Sequence, residues 1–96
     1  MGFIQVLEFK TSKFDEFEKL HEQWMADTEG KRTVVSEHIC RDRDNPNTYV
    51  VIVEFASYEE ALKNNDLPAT ATIAVSMAAL ADEAPTFRNL DLIRID

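Results

Sequence analysis

A histidine and a tryptophan on one predicted helix are the side chains of this sequence best suited to act on a small molecule. His21 lies one turn after Phe17 and one turn before Trp24, and residues three or four apart share one face of a helix. An imidazole titrates close to neutral pH, so His21 is a candidate general base. The same position also suits a core histidine held by one hydrogen bond, and both interpretations remain open.

Two amides and the indole complete the candidate site. Gln5 lies inside a predicted strand, where a buried amide needs partners or water, so we interpret it as a ligand contact that orients an oxygen atom. Trp24 is a candidate cover for an aromatic ligand, with simple core packing as the alternative. Asn64 opens the sequence Asn-Asn-Asp, which we interpret first as a helix break and second as the lining of a pocket mouth.

Other catalytic and metal-binding patterns are weak. Segment 21–25 begins like a zinc-protease helix, but Met25 stands where the second histidine of that motif belongs. His38 and Cys40 are two residues apart on one predicted strand, roughly 7 Å, which is too far for easy proton exchange. The chain has two histidines, one cysteine and two glycines. We therefore expect no transition-metal site, no catalytic cysteine and no phosphate-cradling loop.

Composition limits the classes of partner. The 96 residues fit one domain, residues 1–96, and 18 acidic against 10 basic residues give a net charge of −8. That charge opposes binding to a phosphate backbone, so nucleic acid is not an expected partner. Wholly apolar runs reach only about five residues, against the roughly 20 that a membrane-spanning helix needs. We expect a cytoplasmic protein that has no membrane partner.

Hydrophobic periodicity predicts an α+β fold with the element order βαββαβ. A polar turn that contains Pro46 joins the second and third strands in a hairpin. Right-handed crossovers place the helices on one face of a four-stranded antiparallel sheet, which is the ferredoxin-like plait. We expect strands at Phe3–Phe9, Thr33–Asp42, Thr48–Phe55 and Thr86–Ile95, and helices at Phe14–Thr28, Ser57–Lys63 and Asp66–Ala81.

The run Tyr49–Val53 is apolar at every position. Successive strand residues point to opposite faces of a sheet, so this strand has two apolar faces. The helices cover one of them. A second copy of the same sheet is the simplest cover for the other, and the sequence therefore predicts a homodimer through the sheet faces.

Nearly the whole chain resembles the dimeric α+β barrel superfamily, and within it the antibiotic-biosynthesis-monooxygenase-like group. The resemblance depends on the strand Phe3–Phe9, on Ile39-Cys40-Arg41 before a polar turn, and on Tyr49–Phe55 leading into the helix start at 57–61. It implies a dimeric α+β barrel that binds a small apolar or aromatic molecule. It also implies a cofactor-independent monooxygenase or isomerase acting on an aromatic or quinol-type substrate, with His21 as base.

The haem-degrading relatives in this superfamily use an amide, a tryptophan and an iron-binding histidine. Matched without gaps, these positions fall on Gln5, Asn64 and Ile73. Ile73 cannot ligate iron, so we expect no haem and no other cofactor. Cofactor-free relatives also use a tryptophan where this chain has Asn64. The alternative function is therefore a non-catalytic ligand-binding or interaction module of the same fold.

Overall fold

The computed structural model describes residues 2–96 and consists of a four-stranded antiparallel sheet with three helices on one face. The strand order is β2-β3-β1-β4, so β1 and β3 are central and β2 and β4 lie at the edges. The predicted ferredoxin-like α+β fold is confirmed. The elements are β1 (Phe3–Lys10), α1 (Phe14–Asp27), β2 (Val34–Arg41), β3 (Thr48–Phe55), α2 (Tyr58–Asn65), α3 (Pro68–Leu80) and β4 (Thr86–Asp91).

The core lies between the sheet and the helices. Phe9 and Tyr49 of the two central strands pack with Phe17 of α1 and Met77 of α3. A second cluster joins Phe3 and Phe55 of the same strands to Ala61 of α2. The odd-numbered residues of β1 and β3 thus face the helices, and the even-numbered residues face away from them.

The hydroxyl of Thr11 connects the end of α3 to the start of α1. Thr11 is fully buried; its Oγ1 donates to the carbonyl of Leu80, at the end of α3, at 2.8 Å and accepts from the backbone N–H of Lys13 at 3.0 Å. Lys13 is the N-cap of α1. Its side chain makes no capping hydrogen bond, so Thr11 satisfies one of the free N–H groups at this helix end instead.

Three element boundaries differ from the sequence prediction by two residues or more. Helix α2 continues through Asn65, and α3 begins at Pro68 with Leu67 rather than Asp66 as its N-cap. Strand β4 ends at Asp91, four residues before the predicted end at Ile95. Beyond that point, the backbone N–H of Leu92 donates to the carbonyl of Gly2. No helix in the described part of the chain combines the length and the apolar character needed to cross a bilayer.

One face of the sheet carries no helix. Its centre is formed by Ile4 and Val6 of β1 and by Val50 and Ile52 of β3, all half-buried. We call these four residues the open face. The run Tyr49–Val53 therefore does have apolar side chains on both sides, as the sequence predicts.

Candidate functional site

A cleft of about 160 Å³ lies between the sheet and the helices. All four candidate residues from the sequence line it, although they come from three different elements: Gln5 from β1, His21 and Trp24 from α1, and Asn64 from α2. The remaining lining is mainly apolar and includes Leu7, Val51, Val53, Ile73, Met77 and Phe87. The fold thus brings together side chains that are up to 59 positions apart, from residue 5 to residue 64.

His21 forms a short hydrogen-bonded pair with Glu37 on the edge strand β2. Its Nε2 lies 2.7 Å from Oε1 of Glu37, and the two side chains are 18% and 19% exposed. Phe17 and Trp24 flank the imidazole, with ring centroids 6.1 and 5.6 Å away. The pair is shielded by aromatic rings yet accessible from the cleft.

The pairing with Glu37 determines which nitrogen of His21 can act as a base. An ionised carboxylate only accepts hydrogen bonds, so the neutral imidazole carries its proton on Nε2. Nδ1 then keeps its lone pair. A base oriented by a carboxylate on its other nitrogen is the arrangement that activates histidine in hydrolytic triads.

Trp24 is 7% exposed and its indole is held in place by a hydrogen bond. Nε1 donates to Oγ1 of Thr70 on α3 at 2.9 Å. The guanidinium carbon of Arg32 lies 5.8 Å from the ring centroid. The indole therefore both packs in the core and forms one wall of the cleft, so the two interpretations of Trp24 are compatible.

Gln5 belongs to a row of paired residues that crosses all four strands. The row runs from Glu37 through Val53 and Gln5 to Asn89. Nε2 of Gln5 donates to Oδ1 of Asn89 at 3.2 Å, and the Gln5 side chain is half-buried. The His21–Glu37 pair and the Gln5–Asn89 pair therefore occupy opposite ends of the same row.

The segment Asn64-Asn65-Asp66 does end a helix, as the sequence predicts: α2 runs through Asn65 and Asp66 is its C-cap. Asn64 lies inside α2, is 4% exposed, and its Oδ1 accepts from the backbone N–H of Thr33 at 3.4 Å. Asn64 thus lines the cleft with a buried side chain whose oxygen is paired with the backbone of Thr33.

A second, more polar groove of about 350 Å³ lies between α1 and β2 on the outer side of His21. Glu18, Arg41 and Cys40 line it, together with Phe17 and His21, which also line the cleft. His38 pairs in register with Ile52 and so belongs to the helix-free side of the sheet. Within residues 2–96, no three His, Cys, Asp or Glu side chains converge as metal ligands would.

Two contributors were missed at the level of sequence. Glu37 and Thr70 contact their partners across separations of 16 and 46 residues. One local signal points to Glu37. It lies two residues before Ile39 in β2, so both side chains are on the helix-facing side of this edge strand.

No family model matches the sequence, and no curated protein is significantly similar to it. Solved structures do match. A candidate antibiotic biosynthesis monooxygenase from Caulobacter crescentus superposes with a TM-score of 0.84 and 19% identity, covering 97% of this chain and 91% of that one. SnoaB, a cofactor-independent oxygenase from Streptomyces nogalater, gives 0.81 and 19%, covering 98% and 95%. Rv0793 from Mycobacterium tuberculosis gives 0.82 and 10%, covering 99% and 98%.

Proposed function

We propose that this chain is a cofactor-independent oxygenase that acts on a small, electron-rich aromatic molecule. One observation carries the proposal: His21, held by Glu37, lies against an apolar cleft that also contains Gln5, Trp24 and Asn64. The likeness to SnoaB, itself a cofactor-independent oxygenase, supports it at the level of the fold. Because one fold serves many reactions, the site residues and not the fold specify the chemistry.

The first chemical step is removal of a proton from a ring hydroxyl. Nδ1 of His21 accepts this proton, and the carboxylate of Glu37 stabilises the imidazolium that forms. The apolar walls exclude water from the phenolate, which increases its tendency to donate electrons. Glu37 is therefore a positioning residue and His21 is the catalytic base.

Dioxygen is the second substrate and the only oxidant. For a hydroquinone, the phenolate transfers an electron to dioxygen, the two radicals combine at a ring carbon, and cleavage of the O–O bond leaves one oxygen atom on the ring. The other oxygen atom leaves as water. Hydroquinone plus dioxygen thus gives hydroxyquinone plus water, and the ring supplies all the electrons.

The three other side chains bind and orient the substrate in this proposal. Trp24 covers the ring, and its hydrogen bond to Thr70 fixes the plane of the indole. The side chains of Asn64 and Gln5 also line the cleft, and their amides contact a substrate oxygen or hydroxyl in this proposal. A histidine base in this cleft also suits an isomerase, which would move the proton without consuming dioxygen.

We also infer that the protein acts as a homodimer in which the open face of one copy packs on that of another. Ile4, Val6, Val50 and Ile52 form a contiguous apolar centre on a face without helices. Exposed apolar patches of this kind mark interaction surfaces. A self-complementary contact about a two-fold axis is the commonest way to bury them.

Oxygen consumption and the fate of the oxygen atoms test the reaction. Wild-type protein is mixed with methylhydroquinone in an oxygen electrode, and the rate is corrected for autoxidation without protein. With isotopically labelled dioxygen, one labelled atom should appear in the hydroxyquinone and one in water. Saturable binding without oxygen uptake would overturn the proposal in favour of an isomerase or a ligand-binding module.

A further inference from the structure

We propose that the substrate of this cleft is an uncharged, single-ring 1,4-hydroquinone with apolar substituents, rather than a fused-ring or acidic aromatic compound. The inference rests on the proposed function and specifies the substrate class of the same site. Three independent properties of the cleft support it: its volume, its charge and the positions of its polar groups.

The volume limits the substrate to one ring. The cleft measures about 160 Å³. A buried apolar cavity of about 150 Å³ is known to hold one benzene molecule. The cleft is therefore large enough for one ring with a small substituent. A fused two- or three-ring compound would either leave a ring outside the cleft, where it gains little burial, or displace side chains of the wall, which is costly in a protein interior.

The charge of the lining selects a neutral molecule. His21 and Glu37 are the only ionisable side chains that line the cleft within residues 2–96, and neither lysine nor arginine contributes to its walls. The His21–Glu37 pair has a net charge of −1 or 0, depending on the proton on His21. It is never positive. A substrate carboxylate or phosphate would lose its hydration without gaining a cationic partner, which disfavours binding.

The polar groups fit oxygen atoms at the two ends of one ring. Glu37 and Gln5 are separated by Val53 alone in the row across the sheet. Two strand spacings put their backbones roughly 10 Å apart, comparable to one ring with a hydrogen bond at each end. In a 1,4-hydroquinone, one hydroxyl reaches His21 while the opposite hydroxyl reaches the amide of Gln5.

Ile73 limits the length of the ring system from the α3 side. It lines the cleft and is half-buried, whereas Val75 on the same helix is 73% exposed and does not line it. Truncating Ile73 should enlarge the cleft, and truncating Val75 should not. This pair provides a substitution in the site and a matched control on one helix.

Binding is measured by calorimetry under nitrogen, so that turnover plays no part. The ligands are methylhydroquinone, 1,4-naphthalenediol and 2,5-dihydroxybenzoate. Wild type should bind methylhydroquinone roughly tenfold or more tightly than either of the others. Ile73→Ala should bind the naphthalenediol roughly tenfold more tightly than wild type does. The control Val75→Ala should match wild type. Ile73→Val enlarges the cleft less and replaces the alanine variant if that variant unfolds.

Each remaining outcome has a defined meaning. Equal or tighter binding of the naphthalenediol or the acid by wild type overturns the substrate assignment, and so does an absence of saturable methylhydroquinone binding. Oxygen uptake with the naphthalenediol alone would refute this inference and leave the oxygenase proposal standing. Selective binding of methylhydroquinone without oxygen uptake would refute the oxygenase and leave the ligand class standing.

Discussion

Replacing Thr70 by valine tests how firmly the cleft holds its indole. Thr70 Oγ1 is the acceptor for Nε1 of Trp24 at 2.9 Å, and the indole is 7% exposed. Valine keeps the shape of the side chain but cannot accept a hydrogen bond. A buried donor left without a partner costs about 1–3 kcal/mol. Because Thr70 is only half-buried, we expect about 1–2 kcal/mol.

Urea unfolding and thermal melts measure this loss. For a domain of this size each kcal/mol lowers the melting temperature by about 4–8 °C, so Thr70→Val should melt roughly 5–15 °C below wild type. Thr72→Val is the matched control. Thr72 is an exposed residue of the same helix whose hydroxyl donates to the carbonyl of Pro68, and it should change the free energy of unfolding by less than about 0.5 kcal/mol.

A double-mutant cycle separates the hydrogen bond from the packing. Trp24→Phe removes the donor together with part of the ring, and in the double variant with Thr70→Val no indole N–H is left without a partner. The two losses should therefore be non-additive, with a coupling of about 0.5–2 kcal/mol. Strictly additive losses, or a Thr70→Val variant as stable as Thr72→Val, would refute the assignment of this hydrogen bond as the anchor of the indole.

Two further predictions concern the open face and the β2–β3 turn. Light scattering should give twice the 11.0 kDa chain mass for wild type and one chain mass for Ile52→Lys. The control Val35→Lys changes an exposed residue of the edge strand and should stay dimeric. A monomeric wild type would contradict the proposed interface. The pKa of Asp42 is lowered because its carboxylate accepts hydrogen bonds from the Asn45 side chain and the Asp44 backbone. Its stabilising contribution is therefore present above the unfolded-state pKa and is lost as the pH falls through the lower folded-state pKa; an NMR titration midpoint at or above the usual aspartate value would contradict this.

Local patterns in the sequence were sufficient to predict the fold. Apolar runs bounded by turn residues predicted the four strands, and apolar residues three or four positions apart predicted the first helix. The boundaries were less well predicted. The segment Asn64-Asn65-Asp66 was interpreted as a helix break, and α2 does end there, with Asp66 as its C-cap. The helix runs two residues further than predicted because the buried Asn64 accepts a hydrogen bond from Thr33.

Only part of the candidate site could be predicted from the sequence. Gln5, His21 and Trp24 stand out because polar or amphipathic side chains at apolar positions are unusual, and all three line the cleft. Glu37 and Thr70 do not stand out. Their importance comes from contacts between elements that are distant in the chain, which no local spacing records.

The oxygenase proposal depends most directly on His21 as the base. The decisive measurement compares kcat/KM for oxygen uptake with methylhydroquinone in His21→Gln and His38→Gln, which alter the only two histidines of the chain. We predict a loss of about 10²–10⁴-fold for His21→Gln, the usual contribution of a general base, and little change for His38→Gln, whose imidazole lies outside the cleft. A His21→Gln variant that matches wild type would contradict the proposed mechanism.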